Sequence, residues 1–351
     1  MSQQVVISGV GVWPPKDSVT NEELVDSYNA YVDAFNEDNK AQIDAGEIAA
    51  MPYSSAEFIE KASGIKSRYI YQKEGALDIK RMKPKISPRG DDELSHQAEI
   101  AVEAAKLALA SANLEAADID AVIVSCAYTQ RAYPAIAIEV QEALNIEGFG
   151  FDMLVACSAA TFGMHRAYEM LCAKNASRGL GINPELVSPQ INYTDRDSHF
   201  IFGDVATATV LELAETAKSE HVYDVLSTKA LTKFSNNIRS NFGYMTRAED
   251  VDPYGPDKLF HQAGRKVFKE VCPMAAAHIE AHLASHDLTP EGVKRWWLHQ
   301  ANINMNTLIC KRLLGRDADR TEAPIVLDEF ANTASAGSVI AFGLNHEDLV
   351  S

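Results

Sequence analysis

The segment Phe151-Asp152-Met153-Leu154-Val155-Ala156-Cys157-Ser158-Ala159-Ala160-Thr161-Phe162-Gly163 decides the fold. An apolar run leads into a cysteine, and small residues follow it. From Phe162 to Leu171 apolar residues recur at steps of three and four, which is typical of a helix. The pattern predicts a strand that delivers Cys157 to the first turn of a buried helix. Unpaired backbone N–H groups and the positive end of the helix dipole favour a thiolate there.

Cys157 has two interpretations at this point. Free cysteine is among the most buried residue types, so the side chain fits a plain packing role. A catalytic cysteine needs a suitable pKa and access, and the small residues around this one would let a substrate backbone approach closely. This segment alone supports the two interpretations equally.

Two later segments favour catalysis. Trp296-Trp297-Leu298-His299-Gln300-Ala301-Asn302 is an apolar strand that ends in a histidine and an amide, and Leu327-Asp328-Glu329-Phe330-Ala331-Asn332-Thr333-Ala334-Ser335-Ala336-Gly337 is a strand end followed by small residues that open a helix. The three segments together resemble the active-site motifs of the β-ketoacyl-acyl-carrier-protein synthase III family, in the thiolase superfamily. Residues 63–68 resemble the family's Thr-Gly-Ile segment, and residues 201–204 match its Phe-Gly-Asp turn.

The resemblance implies roles for named residues. Cys157 would take the acyl group, and His299 and Asn332 would donate hydrogen bonds to the enolate oxygen that is left when CO₂ departs. It also implies substrate-binding and carrier-docking residues: Asn302 near the pantetheine amides, Arg196 on coenzyme A, Tyr133 in the neighbouring subunit's acyl pocket, Phe202, and Lys311 and Arg312 for the acidic carrier protein. A plain surface or packing role is at least as well supported for Arg196, Tyr133, Lys311 and Arg312.

The reaction that the resemblance implies is an acyl transfer followed by a condensation. An acyl-CoA acylates the cysteine, and malonyl-acyl carrier protein then gives a β-ketoacyl product and CO₂ in fatty acid biosynthesis. Coenzyme A enters as part of the substrate, no cofactor is expected, and the expected assembly is a homodimer. Two alternatives stay open: a related condensing enzyme, either of secondary metabolism or joining two acyl thioesters, and a non-catalytic scaffold subunit of the same fold.

Composition and charge exclude several classes of protein. The 351 residues carry a formal net charge of −17, with 46% hydrophobic and 23% charged residues, so neither nucleic acid nor an anionic membrane is an expected partner. The five cysteines are scattered without a CxxC pair, which argues for a reducing compartment and against a zinc site. His278 and His282 have no third metal ligand nearby and are interpreted as helix-face residues. No run is apolar for long enough to span a membrane, so we expect a cytoplasmic protein.

The element pattern predicts an α/β fold. Strands and helices alternate along the chain, which favours a mostly parallel sheet covered on both faces. The expected strands include residues 5–13, 119–126, 200–213, 223–231, 294–299 and 324–328, whereas residues up to Asn183 after the Cys157 helix form a polar stretch. A second, similar series suggests an internal duplication. The family's thiolase-like fold, a duplicated five-layer αβαβα architecture, fits halves at residues 1–217 and 218–351.

The chain also departs from the family pattern. Phe58 and Ala62 stand where short members carry a Trp and an Arg that bind the adenine nucleotide, and Asn304 replaces a basic residue expected in carrier docking. The segment 27–57 is longer than in short members and forms either a packing addition or part of a lid. After the Asn332 helix, the second half lacks the strands and glycine-rich turn with which family members continue. We therefore expect reduced activity from the sequence as given.

Overall fold

The computed structural model describes residues 4–253 and 255–349. Its centre is a six-stranded mixed sheet in which the strand order is β5-β4-β6-β7-β1-β8. The strands in the described residues are β1 Val5–Trp13, β2 Asp17–Thr20, β3 Ser67–Ile70, β4 Ala121–Cys126, β5 Phe149–Leu154, β6 Arg178–Glu185, β7 Val205–Leu213, β8 Tyr223–Val225, β9 Ile238–Arg239 and β10 His261–Gln262. The helices are α1 Asn21–Asp38, α2 Lys40–Asp44, α3 Ala56–Ser63, α4 His96–Ser111, α5 Ile136–Leu144, α6 Ala159–Cys172, α7 Gly264–Ala284, α8 Ile303–Leu314, α9 Leu327–Phe330 and α10 Ala336–Asn345.

The sheet is less parallel than the alternation of elements predicts. β4 pairs in parallel with β5 and with β6, but β7 runs antiparallel to both β6 and β1, and β8 runs antiparallel to β1. The expectation of a mostly parallel sheet is therefore wrong for this six-stranded sheet. The connection between β6 and β7 contains no regular helix to carry the chain back across the sheet, so the two strands pair antiparallel.

Five layers are stacked in the described residues. The alanine-rich helix α4 and α5 cover one face of the sheet, and α6 and α10 cover the other. Close approach of α4 depends on Gly9 and Gly11, because a Cβ at either position would lie 2.3 Å from a carbonyl oxygen of α4. Beyond α10 lie two extended segments, and α7 and α8 pack behind them.

The fourth layer consists of residues 294–300 and 322–326, which are extended but not strands. Trp296 packs with α7 and α8 whereas Trp297 packs against the α10 side, as alternate residues of a strand do. The Trp296 N–H donates to Glu322 O at 2.7 Å, but Pro324 has no N–H for a ladder. The predicted strands at residues 294–299 and 324–328 are therefore wrong as strands, and the chain turns into α9 at Leu327.

The polar stretch predicted up to Asn183 is also wrong, because it forms the central strand β6. Every residue after Arg178 in this strand is buried. Gly179 faces Ala167 of α6, and a Cβ at Gly179 would lie 3.6 Å from the Ala167 Cβ, an ordinary contact distance. Asn183 is satisfied inside the sheet, since its amide donates to Ser125 O at 2.7 Å. Glycine, asparagine and proline hide the strand from a pattern based on apolar alternation.

The long segment between β2 and β3 packs onto the body mainly through α1. Within residues 27–57 the buried residues are Tyr28, Val32 and Ser54, and α2 buries none, so its role as packing or lid stays a prediction. The Thr20 side chain and Glu23 form a capping box at the start of α1, and Tyr28 is buried against the ring of His199 with centroids 4.6 Å apart. The strand predicted at residues 223–231 is only β8, and residues 226–235 continue without regular structure. The division into halves at residues 217 and 218 stays a prediction.

Candidate active site

Cys157 lies in a tight turn between β5 and α6. The preceding residue, Ala156, has φ of 45°, a left-handed conformation that is unfavourable for alanine. Cys157 is half-buried, while its neighbours Ala156 and Ser158 are exposed. The structure therefore places Cys157 between the strand and the helix, as the sequence predicts. It lies two residues before Ala159, the buried first residue of α6. Strain of this kind is retained where the surrounding structure fixes a residue, and it is common at functional sites.

The thiol of Cys157 is not pre-ionised. Burial raises its pKa to about 12, and the nearby charge of Glu185 adds to the rise, whereas its own backbone N–H lowers it by less. The expectation that the helix start favours a thiolate is therefore outweighed by desolvation. At neutral pH the free protein carries a thiol at this position, so the proton has to leave during the reaction.

Asn332 is held by its backbone and by its own turn. Its N–H donates to Ile201 O at 3.0 Å and its carbonyl accepts from the Gly203 N–H at 3.1 Å, which pairs it with Phe202. Its side-chain oxygen accepts from the Ala334 N–H at 3.0 Å. Because that oxygen is occupied, the amide nitrogen is the group left to donate to a substrate. Ala331 and Ala334, on either side of the residue, have φ of 57° and 48°.

His299 lies at the end of the first extended segment, and the next residue fixes it. The buried side chain of Gln300 donates to Leu298 O and Pro324 O, and its oxygen accepts from the Val326 N–H. Burial lowers the pKa of His299 to about 4. The imidazole is therefore neutral at physiological pH and carries one N–H, as a hydrogen-bond donor to a developing anion requires.

The His299 and Asn332 segments meet around the start of α10, and Cys157 lies against the apolar cluster beside the Asn332 turn. Gly337 in the first turn is so close to Gln300 that a Cβ there would lie 2.8 Å from the Gln300 Cβ. Cys157 packs against the apolar cluster that contains Phe202, Ala331 and Ala334. The backbones next to His299 and Asn332 thus converge on α10, and Cys157 reaches the same cluster from α6. The direction of the His299 ring toward the thiol stays a prediction.

Arg196 and Phe58 form a stacked pair. The guanidinium carbon of Arg196 lies 3.8 Å from the centre of the Phe58 ring, and its Nε donates to Tyr53 O at 2.7 Å. Phe58 belongs to α3, the helix whose Ala62 also departs from the family pattern. The flat faces of an aromatic ring and a guanidinium are suited to stack on a purine. The exchange of Trp for Phe at this position therefore keeps an aromatic surface.

Asn302 and Phe202 are engaged in packing and capping. Asn302 caps α8, with its oxygen accepting from the Asn304 N–H at 2.9 Å and its amide donating to Ala62 O at 2.8 Å. Phe202 is buried and stacks edge-on with Phe260, at a centroid distance of 4.6 Å. These contacts account for both residues structurally, and their proposed contacts with substrate stay predictions.

The remaining predicted residues lie at the surface. Tyr133 is 84% exposed and precedes Pro134 through a cis peptide bond. Lys311 and Arg312 are exposed on the last turn of α8, where Lys311 lies 3.9 Å from Asp317. Among residues 4–253 and 255–349 nothing covers Tyr133, as a residue that projects into a neighbouring subunit requires.

Glu185 is a buried acid that the sequence analysis missed. It ends β6, has no solvent exposure, and accepts hydrogen bonds from Ala127 and from Ser335. Burial raises its pKa to about 7, although these donors oppose the rise. A glutamate that follows Asn-Pro does not by itself indicate a functional residue. Had β6 been recognised as a buried strand, an acid at its end would have been notable, because glutamate is rarely fully buried.

The described residues contain neither a group of metal ligands nor a membrane-spanning helix. Across residues 4–253 and 255–349, no group of three or more His, Cys, Asp and Glu side chains is placed to hold a metal ion. His278 and His282 instead bond to Lys229 O and to the Ser227 hydroxyl, in line with their interpretation as helix-face residues. Within the same ranges, the helices are all too short or too polar to cross a bilayer.

Comparison with known proteins identifies the family. The 3-oxoacyl-[acyl-carrier-protein] synthase III model matches residues 151–230, and the model of its C-terminal part matches residues 283–348. The β-ketodecanoyl-[acyl-carrier-protein] synthase of Pseudomonas aeruginosa is 53% identical over 93% of this chain and 93% of its own length. The chain belongs to the β-ketoacyl-acyl-carrier-protein synthase III family. This family member is thus a condensing acyltransferase of fatty acid biosynthesis, as predicted.

More distant relatives agree with this family assignment and with the fold. A β-ketoacyl-[acyl-carrier-protein] synthase III from Granulibacter bethesdensis is 26% identical over 96% of the chain and 88% of its own length. The 3-oxoacyl-[acyl-carrier-protein] synthase III crystal structure from Aquifex aeolicus superposes with a TM-score of 0.73, at 23% identity, over 98% of this chain and 91% of that one. The predicted thiolase-like α/β fold is therefore confirmed.

Proposed function

We propose that this synthase III family member transfers an acyl group from coenzyme A to Cys157 and condenses it with malonyl-acyl carrier protein. What supports the proposal is that the His299 and Asn332 segments approach each other at the start of α10, and that Cys157 packs against the apolar cluster that contains Ala331 and Ala334. The proposal needs no cofactor, because a thiol and two hydrogen-bond donors supply the chemistry.

The first step is a transthioesterification. The Cys157 sulfur attacks the thioester carbonyl carbon, the C–S bond to coenzyme A breaks, and the thiol proton leaves with the coenzyme A thiolate. The raised pKa of Cys157 keeps the thiol protonated until substrate arrives. The net reaction is neutral, since one thiol and one thioester exchange partners.

The second step forms the new carbon–carbon bond. Malonyl-carrier loses CO₂ and leaves an enolate, whose carbon attacks the acyl-Cys157 carbonyl and releases the thiolate. The neutral imidazole of His299 and the free amide nitrogen of Asn332 are the proposed donors to the enolate oxygen. Each such donor contributes on the order of 3–4 kcal/mol when it is aimed at charge that develops in the transition state.

The acyl donor is proposed to be of medium length. The relative at 53% identity is named for a β-ketodecanoyl product, a ten-carbon chain. Because malonyl condensation adds two carbons, that product derives from an eight-carbon acyl donor. We propose the same class of donor for this chain, with its nucleotide stacked against the Phe58–Arg196 pair and Asn302 near the pantetheine.

The proposed protein is a cytoplasmic homodimer. β5 is an edge strand of the sheet, and its first and last residues, Phe149 and Leu154, are 42% and 56% exposed. An edge strand with apolar side chains is suited to pair with a second copy. Pairing of this kind would give Tyr133 a neighbour to project into. Lys311 and Arg312 are the proposed docking residues for the acidic carrier.

The test is a reconstituted condensation assay. Purified protein is incubated with acyl-CoAs from two to twelve carbons together with malonyl-carrier, and the carrier is analysed by mass spectrometry. We expect a β-ketoacyl-carrier product whose formation is most rapid with the eight-carbon donor and absent in Cys157→Ala. Cys272→Ala, at a buried cysteine between α7 and α8, is the matched control. Product formation by Cys157→Ala at the wild-type rate would rule the proposal out.

A further inference from the structure

Glu185 joins three elements at the site. Its Oε2 accepts from the Ala127 N–H, just after β4, at 3.1 Å. Its Oε1 accepts from the Ser335 N–H at 3.2 Å and from the Ser335 hydroxyl. Ser335 is the N-cap residue of α10, directly before Ala336. One fully buried carboxylate therefore ties the ends of two central strands to the start of the helix where the His299 and Asn332 segments meet.

The contact to Ser335 lies at the far end of the strained Asn332 turn. Ala331 and Ala334 both have left-handed backbones, and such conformations persist only where the surroundings hold them. The near end of the turn is held by backbone pairing of Asn332 with Phe202. The far end is held by Glu185, because both the N–H and the hydroxyl of Ser335 donate to its carboxylate.

We infer that Glu185 is a positioning residue for the condensation step, which holds the Asn332 amide toward the enolate oxygen through Ser335. This inference rests on the proposed function. It assigns Glu185 no contact with substrate. Displacement of a catalytic group by about 1 Å lowers a rate by as much as ~10²-fold, so a turn released at one end is enough to slow the step.

The charge state of Glu185 gives the role a signature in pH. Burial raises the pKa of its carboxyl to about 7, and the ionised form is the one that accepts all three donors. Protonation therefore loosens the turn as the pH falls below about 7. The titratable groups that face Glu185 are Asp204 before β7, Cys126 of β4, Tyr128 after β4, and Cys157.

The experiment compares Glu185→Gln and Ser335→Ala with wild type in two separate assays. In Glu185→Gln an NH₂ group replaces one of the two carboxylate oxygens. That group cannot accept a hydrogen bond, so either the Ala127 N–H or the Ser335 N–H loses its acceptor. The assays are single-turnover acylation of Cys157 by octanoyl-CoA, followed by intact mass, and condensation of pre-acylated protein with malonyl-carrier. The matched control is Glu212→Gln, a buried carboxylate bonded to Arg178 at the other end of β6, roughly 20 Å away.

We expect condensation to fall about 10- to 100-fold in both variants. Acylation should be nearly unchanged in Ser335→Ala, and in Glu185→Gln it should not fall, because loss of the charge lowers the pKa of Cys157. The ratio of condensation to acylation should fall below pH 7 in wild type and lose that dependence in Glu185→Gln. Glu212→Gln should keep the wild-type ratio and its pH dependence. An unchanged ratio in Glu185→Gln, or an equal loss in both assays, overturns the inference. Wild type that fails either assay contradicts the proposed function instead.

Discussion

The guanidinium carbon of Arg196 lies over the ring of Phe58, 3.8 Å from the ring centre. The two residues are distant in sequence, and α3 and the Asn192–Phe200 loop bring them together. Their stacking shows that the chain retains a planar surface where the family's tryptophan is missing. We therefore predict that this surface contributes to binding of coenzyme A.

Phe58→Ala is expected to weaken binding of acyl-CoA through its nucleotide. Loss of the stack should raise KM for octanoyl-CoA about fivefold, since cation–π and stacking contacts are worth about 1 kcal/mol. KM for octanoyl-pantetheine, which lacks the nucleotide, should stay the same. Phe234→Ala, at a ring that is 90% exposed, is the control. An equal rise in KM for both substrates would place Phe58 outside the nucleotide site.

Asn332→Ala and His299→Ala should separate the two steps of the reaction. Each removes one donor to the enolate, so condensation should fall about 10²–10³-fold while acylation of Cys157 changes little. The backbone pairing of Asn332 with Phe202 does not involve the side chain that is removed. Asn304→Ala on the exposed face of α8 is the control. If acylation and condensation fall together in Asn332→Ala, the amide does not act on the enolate.

The stability of the protein should fall in mild acid because of His199. This ring is buried against Tyr28, and burial lowers its pKa from 6.5 to about 4. Between those values the unfolded chain binds a proton that the folded chain does not. The free energy of unfolding therefore falls as pH drops from 6.5 to 4, by about 3 kcal/mol from this residue.

Urea unfolding of wild type and His199→Gln at pH 7 and pH 4.5 checks this contribution. The loss of stability between the two pH values should be smaller in the variant, whatever its stability at pH 7. His221→Gln, at an exposed position, should retain the wild-type difference. The same pH difference in wild type and His199→Gln would show that the buried ring does not carry the effect.

Leu154→Lys should weaken the proposed dimer. A charge at the exposed end of the edge strand β5 opposes pairing of this strand with a second copy of the chain. Sedimentation velocity at micromolar concentration should show a shift from dimer to monomer, with lower condensation activity if Tyr133 completes the neighbouring pocket. Leu288→Lys, at a site 45% exposed after α7, is the control. A wild-type protein that sediments as a monomer would remove the basis for this prediction.

The sequence predicted three strands of the central sheet. Residues 5–13 form β1, and the expected strands at residues 119–126 and 200–213 contain β4 and β7. These strands carry their own signal, in runs of apolar residues. The motifs for Cys157, His299 and Asn332 were also found, because their order and local patterns are specific to the family.

The central strand and its acid were missed for a physical reason. β6 is buried on both faces, and the polar side chain of Asn183 is accommodated there by a hydrogen bond to Ser125 O. A strand buried on both faces does not need to alternate apolar and polar residues. The pairing of residues 294–300 with 322–326 likewise depends on the Gln300 side chain, a long-range contact that the local sequence does not reveal.

The protonation of Cys157 also lay beyond the sequence. Its place before α6 was predicted, and its own backbone N–H does lower its pKa. The larger effect is burial, with the charge of Glu185 added to it. Both depend on tertiary packing around the turn, and neither is visible in the residues next to Cys157.

The most direct test of the account is to identify the residue that octanoyl-CoA acylates. Wild type, Cys157→Ser and Cys272→Ala are each incubated with octanoyl-CoA, and intact mass is measured before and after digestion to peptides. The account predicts one octanoyl group per chain in wild type and in Cys272→Ala, located on the peptide that contains Cys157, and released on addition of malonyl-carrier. An octanoyl group on another residue, or none on wild-type protein, would contradict it.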